Sequence, residues 1–126
     1  RQFGTSDHDS ASALTPDGLG GVIATGRTEG AMAAPISGLT DVWLARYDGT
    51  GNRLWIRQFG STGTDGPTTI ASDGIGGAIV GGHTWGSLAA PAGGFADGWL
   101  ARYDAAGNRT WVRQFGTSQN DELWAV

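Results

Sequence analysis

Alternation of apolar and polar side chains is clearest over residues 41–48. Trp43, Ala45 and Tyr47 fall on one face of an extended chain, with Val42, Leu44 and Arg46 on the other. Large apolar groups on both faces predict a strand covered on both sides. Residues 97–104 repeat the pattern with Trp99, Leu100, Ala101, Arg102 and Tyr103. A turn containing Gly51-Asn52 or Gly107-Asn108 leads in each case to a second apolar stretch, residues 53–59 or 109–115. These carry Trp55 and Phe59, or Trp111 and Phe115, on one face. Upstream, residues 22–28 and 78–84 read as strands. Each follows a glycine-rich turn, Asp17-Gly18-Leu19-Gly20-Gly21 or Asp73-Gly74-Ile75-Gly76-Gly77, where positive φ is cheap. The weakest signal comes first in each unit, at residues 11–14 and 68–71.

The pattern recurs because the chain is a tandem repeat. Arg1-Gln2-Phe3-Gly4 returns at residues 57–60 and again at 113–116, and copies one and two are identical at 28 of 56 positions. Four short strands per unit, at a spacing of roughly 8–15 residues, favour an all-β array over βαβ units. Four-stranded antiparallel sheets stacked face to face are the blades of a β-propeller, and that is the fold predicted. Residues 1–9 end an outer strand of a preceding blade and its loop. Residues 10–60 form blade one and 61–116 blade two, and 117–126 begin a further blade. The predicted core is Trp43, Tyr47, Trp55, Phe59, Trp99, Tyr103, Trp111 and Phe115, each needing the next blade as cover. Burying one such ring is worth roughly 1.5–3 kcal/mol.

Composition narrows the picture. The 23 glycines lack a collagen period, and they argue against long helices. Net charge is −4, all eight basic residues are Arg, and they are scattered instead of forming a stripe, so no nucleic-acid partner is expected. No run of 18 apolar residues exists, and no membrane insertion is expected. With no Cys there are neither disulfides nor thiolate metal sites. A start inside a repeated motif leads us to expect a piece of a longer protein.

The run D-x-W-L-A-R-Y-D-x-x-G-N-x-x-W-x-R-Q-F-G, with Asp17, Gly18 and Gly26 upstream, resembles the bacterial SBBP-type (seven-bladed) β-propeller repeat. The matching positions in the run are Asp41, Trp43, Tyr47, Asp48, Gly51, Asn52, Trp55, Phe59 and Gly60, with their copies 56 residues on. The resemblance covers essentially the whole chain. It implies large secreted or cell-surface proteins whose propellers serve as interaction scaffolds.

Candidate chemistry is sparse. Asp7-His8-Asp9 has metal or acid–base character, but only its last Asp persists in copy two, so His8 reads as a solvated loop residue. Asp17, Asp41, Asp48, Asp73, Asp97 and Asp104 are oxygen ligands of the kind calcium takes, yet each stands at a turn or strand end, where Asp bonds its own backbone. Gly18-Leu19-Gly20 precedes a strand and not a helix, which excludes a dinucleotide motif. With only His8 and His83, a nucleophilic triad has no support. No catalytic residue, cofactor or metal is expected.

Differences between copies point elsewhere, since function is grafted onto scaffolds at variable positions. Arg27-Thr28-Glu29-Gly30 stands against His83-Thr84-Trp85-Gly86. Trp85 suits stacking on a sugar ring, with His83 as hydrogen-bond partner and Arg27 and Glu29 at the matching place in copy one. The leading expectation is a non-catalytic structural and interaction module, extracellular or at the cell surface, binding a protein partner through its loops. A carbohydrate-binding propeller is the alternative, and a quinone-cofactor dehydrogenase propeller a more distant one. Neighbouring blades, from the same chain or another, are the first partners expected, with homo-oligomers forming through open blade edges.

Overall fold

The computed structural model describes residues 1–119 and 121. Eight strands and no helix occur among them. β1 is Asp9–Pro16, β2 Val22–Thr28, β3 Asp41–Tyr47 and β4 Arg53–Phe59. One repeat on, β5 is Asp65–Ser72, β6 Ala78–Thr84, β7 Asp97–Tyr103 and β8 Arg109–Phe115. They form two antiparallel four-stranded meanders, ordered β1-β2-β3-β4 and β5-β6-β7-β8.

The first strand of each sheet is longer than residues 11–14 and 68–71 predict, and the cause is a bulge. Ala11 pairs with Gly26 and Ala13 with Thr25, so Ser12 is an extra residue; Thr68 is its counterpart between Pro67 and Thr69. An inserted residue breaks the two-residue alternation and lets Pro67 sit in a strand where its missing N–H costs little. Carboxylates close the turns. Asp17 Oδ1 accepts from the amides of Leu19 and Gly21, both at 2.8 Å, and Asp73 Oδ1 accepts from Ile75 and Gly77, both at 2.9 Å. Asp48 and Asp104 do the same for the β3–β4 and β7–β8 turns.

The core lies between the two sheets. Ile23, Val42, Leu44 and Trp55 from sheet one meet Ala78, Val80, Trp99, Ala101 and Tyr103 from sheet two. Phe59 stands edge-on to Trp99, with centroids 5.4 Å apart at 83°, and 6.0 Å from Tyr103. Polar contacts complete the seam: Trp55 Nε1 donates to Ala105 O at 3.0 Å and Arg57 Nε to Gly107 O at 2.8 Å. At one end of the sheets the Gly76 amide donates to Asp17 O, and Gly18, at φ +80°, lies so close to Gly74 that a Cβ would collide with its carbonyl.

Two predicted core residues are not core here. Phe115 is 45% exposed and Trp111 only half-buried, whereas their counterparts Phe59 and Trp55 are half-buried and buried. They lie on the face of sheet two turned away from sheet one, where no sheet among the described residues covers them. Tyr47 is half-buried for a related reason. No second sheet covers its face of sheet one among the described residues; Phe3 packs there, 5.2 Å from Trp43 and 5.8 Å from Tyr47. The further strand predicted within 117–126 falls largely on residues 120 and 122–126, outside the described residues. Asp121 itself donates to Ala96 O at 2.7 Å, the bond that Asp65 makes to Thr40 one repeat earlier.

Candidate functional site

The variable positions sit on invariant turns. At the end of β2 the Thr28 hydroxyl accepts from the Gly30 amide at 3.0 Å, and at the end of β6 Thr84 accepts from Gly86 at 3.1 Å. The backbone of the intervening residue is fixed in turn: Glu29 donates to His8 O and Trp85 to Thr64 O, both at 2.9 Å. One peptide geometry therefore displays Glu29 in copy one and Trp85 in copy two, and both side chains are exposed. Trp85 is 50% accessible, a large indole face free to stack.

Arg27, two residues before Glu29, is exposed as well. His83 differs from it. It is partly buried, its carbonyl accepts from Trp99 Nε1 at 2.9 Å, and its Nδ1 is buried with no hydrogen-bond partner. His83 thus supports the β6–β7 pairing, and its unpartnered Nδ1 makes no hydrogen bond alongside the Trp85 ring. Exposed His8 contributes its carbonyl to the turn, while Asp9 accepts from the Thr5 amide and hydroxyl and from the Thr28 hydroxyl.

The long links after these turns are held by a residue type that the strand pattern did not single out. Gln58 Oε1 accepts from the amides of Met32, Ala33 and Ala34 at 2.7, 2.9 and 3.3 Å. Gln114 does so for Leu88, Ala89 and Ala90 at the same distances. Its recurrence in every R-Q-F-G was the available signal. Each glutamine amide also donates to the carboxylate that opens β3 or β7: Gln58 Nε2 to Asp41 Oδ2 at 3.0 Å and Gln114 Nε2 to Asp97 Oδ2 at 2.7 Å.

Electrostatics follow the same scheme. Burial pushes Asp17 and Asp73 up, but turn amides and an arginine, Arg46 or Arg102, outweigh it and leave both below the usual carboxylate range. Asp48 is lowered to about 2, first by the Asn52 amide and then by the Thr50 hydroxyl. Asp65 moves the other way: burial raises it against its Thr84 and Ser61 hydrogen bonds, and the charge of nearby Asp41 adds to the rise. The second carboxylate oxygens of Asp41 and Asp97 are buried without a partner. Among the described residues no group of three or more His, Asp or Glu is gathered as metal ligands, and no helix is long and apolar enough to cross a membrane. Comparison with protein-family models and with curated proteins finds no match to this chain.

Proposed function

We propose that the chain is a run of consecutive β-propeller blades, 10–60 and 61–116, acting as a non-catalytic structural and interaction module. Its repeat resembles the SBBP type, which favours a secreted or cell-surface protein. The observation that carries the reading is the repetition of the seam itself. Phe59 seats on Trp99 and Tyr103, and 56 residues earlier Phe3 seats on Trp43 and Tyr47 with the same edge-on geometry. Sheets that meet their neighbours on both faces through one repeated contact form a stack, and a twisted stack of four-stranded meanders is a propeller.

The module works by separating support from display. Buried rings and carboxylate-closed turns hold each sheet rigid, while Arg27, Glu29 and Trp85 are exposed at strand ends, outside the core between the sheets. Replacing all three with Ala lowers the unfolding free energy from urea melts by no more than about 1.5 kcal/mol, about 0.5 kcal/mol per surface position. A larger loss would make these residues structural and remove the proposed display surface.

The exposed Trp85 indole favours a second reading, in which the loop at the end of β6 stacks on a sugar ring. Binding on a glycan array that is lost in Trp85→Ala supports it, and silence of the parent chain across the array removes it.

A further inference from the structure

The two outer faces of the molecule are complementary to one another. On the outer face of sheet two, Phe115 is exposed and Ile79, Leu100 and Trp111 are half-buried, although their counterparts Ile23, Leu44 and Trp55 are buried in the seam. The donors differ in the same way. Arg46 reaches Ala105 O at 2.9 Å and Arg57 reaches Gly107 O across the seam. In sheet two Arg102 makes only a 3.5 Å contact with Asp73, and Arg113 bonds the carbonyl of its own neighbour Val112.

The outer face of sheet one holds what this set lacks. Trp43 and Tyr47 are the counterparts of Trp99 and Tyr103, and Gly49 and Gly51 stand where Ala105 and Gly107 present their carbonyls. Val22 is 37% exposed there, while its counterpart Ala78 is fully buried. Residues 1–4 fill only part of the face. Arg1 Nε donates to Gly51 O at 2.8 Å, repeating the bond from Arg57 to Gly107. Open grooves flank Phe3, one along Tyr47 and Arg53, another along Ala24, Met32 and Trp43.

We infer that the outer face of sheet two docks on the outer face of sheet one of a second copy of this chain, residues 113–119 of one copy displacing residues 1–7 of the other. Residues 113–116 repeat residues 1–4 in sequence, and Thr117 and Gln119 repeat the hydrogen bonds of Thr5 and Asp7, so one segment replaces the other without new chemistry, and the docking copy adds the rest of a sheet. Residues 1–7 act as a tethered competitor that weakens the association. The contact is heterologous, head to tail, and so grows beyond a dimer into a ring or an open array. This rests on the stacked-sheet reading above.

Sedimentation analysis of the 126-residue chain over a concentration series tests it. The chain associates beyond a dimer of its 13.0 kDa mass. Phe115→Asp, at an exposed site, weakens association at least about tenfold while leaving the circular dichroism of the fold unchanged; Phe3→Ala, or deletion of residues 1–4, strengthens it about tenfold. Val22→Asp blocks the other face. Mixing it with Phe115→Asp gives a one-to-one dimer that grows no further, because each partner keeps only one working face. Chains that stay folded and monomeric up to about 0.5 mM, a range that detects even weak pairing, overturn the inference while leaving the propeller reading intact. So does association indifferent to Phe115→Asp, or absence of the mixed dimer.

Discussion

Arg46 Nε donates to Asp17 Oδ2 at 2.9 Å, inside the molecule, while the equivalent pair Arg102 and Asp73 is held only at 3.5 Å and in solvent. The same two residue types thus do different work in the two repeats. The Arg46 side chain is 10% exposed and also donates to Ala105 in sheet two; that of Arg102 is 40% exposed.

Breaking a buried pair strands the remaining charge, whereas losing an exposed one costs little. Arg46→Ala therefore costs about 3 kcal/mol and Arg102→Ala under about 1 kcal/mol, read from urea melts of the two variants. Equal losses would mean that the seam does not bury Arg46.

Gly60 is wedged between two carboxylates: a Cβ there would collide with Asp41 Oδ1 and crowd Asp65 Oδ2. Gly60→Ala costs about 2 kcal/mol, as overpacking does at a rigid site. Gly20→Ala is the control, with φ at +95° but open space around it, and loses about 1 kcal/mol from backbone strain alone. Thermal or urea denaturation that ranks Gly20 above Gly60 would contradict the crowding.

Acid should unfold the protein through its turn aspartates. Asp9, Asp17, Asp48, Asp73 and Asp104 all lie below their ordinary value in the fold. A depressed carboxylate contributes stability above its unfolded value of about 4, and that contribution is lost as pH falls through the folded value. Asp65 opposes the trend: being raised, it favours the fold below its unfolded value and loses that contribution as pH rises through the folded one. Five groups against one give a net fall in the urea midpoint between about pH 4 and pH 2. A midpoint that is flat or rising over that window would show that the turn hydrogen bonds are not formed.

Removing a seam indole is costlier than any of these changes. Trp99 is fully buried, donates to His83 O and supports Phe59, so Trp99→Ala costs about 3–5 kcal/mol. Trp111→Ala, at the half-buried counterpart of Trp55, costs less than Trp55→Ala by the same denaturant assay.

Much of this arrangement is legible in the residues. β2, β4, β6 and β8 run over the stretches that the apolar pattern marks, because strands with large groups on both faces and turns rich in Asp and Gly leave few alternatives. β1 and β5 are harder to read, since the bulges at Ser12 and Thr68 shift the alternation midway. Burial of Phe115 and Trp111 depends on a neighbouring sheet, and no local pattern reports whether a neighbour is present. His83 and Trp85 illustrate the same limit. Two residues apart on one strand, they suggest a joint binding face, but pairing with β7 engages the His83 backbone and leaves only the indole on display.

The central claim is that consecutive four-stranded sheets stack through one repeated aromatic contact. Nuclear Overhauser spectroscopy of the folded chain, with Phe59 and Trp99 side chains assigned, measures that contact directly. Cross-peaks between the Phe59 ring and the Trp99 indole are predicted, matching their 5.4 Å centroid separation. Assigned resonances of a folded protein with no such cross-peak would contradict it.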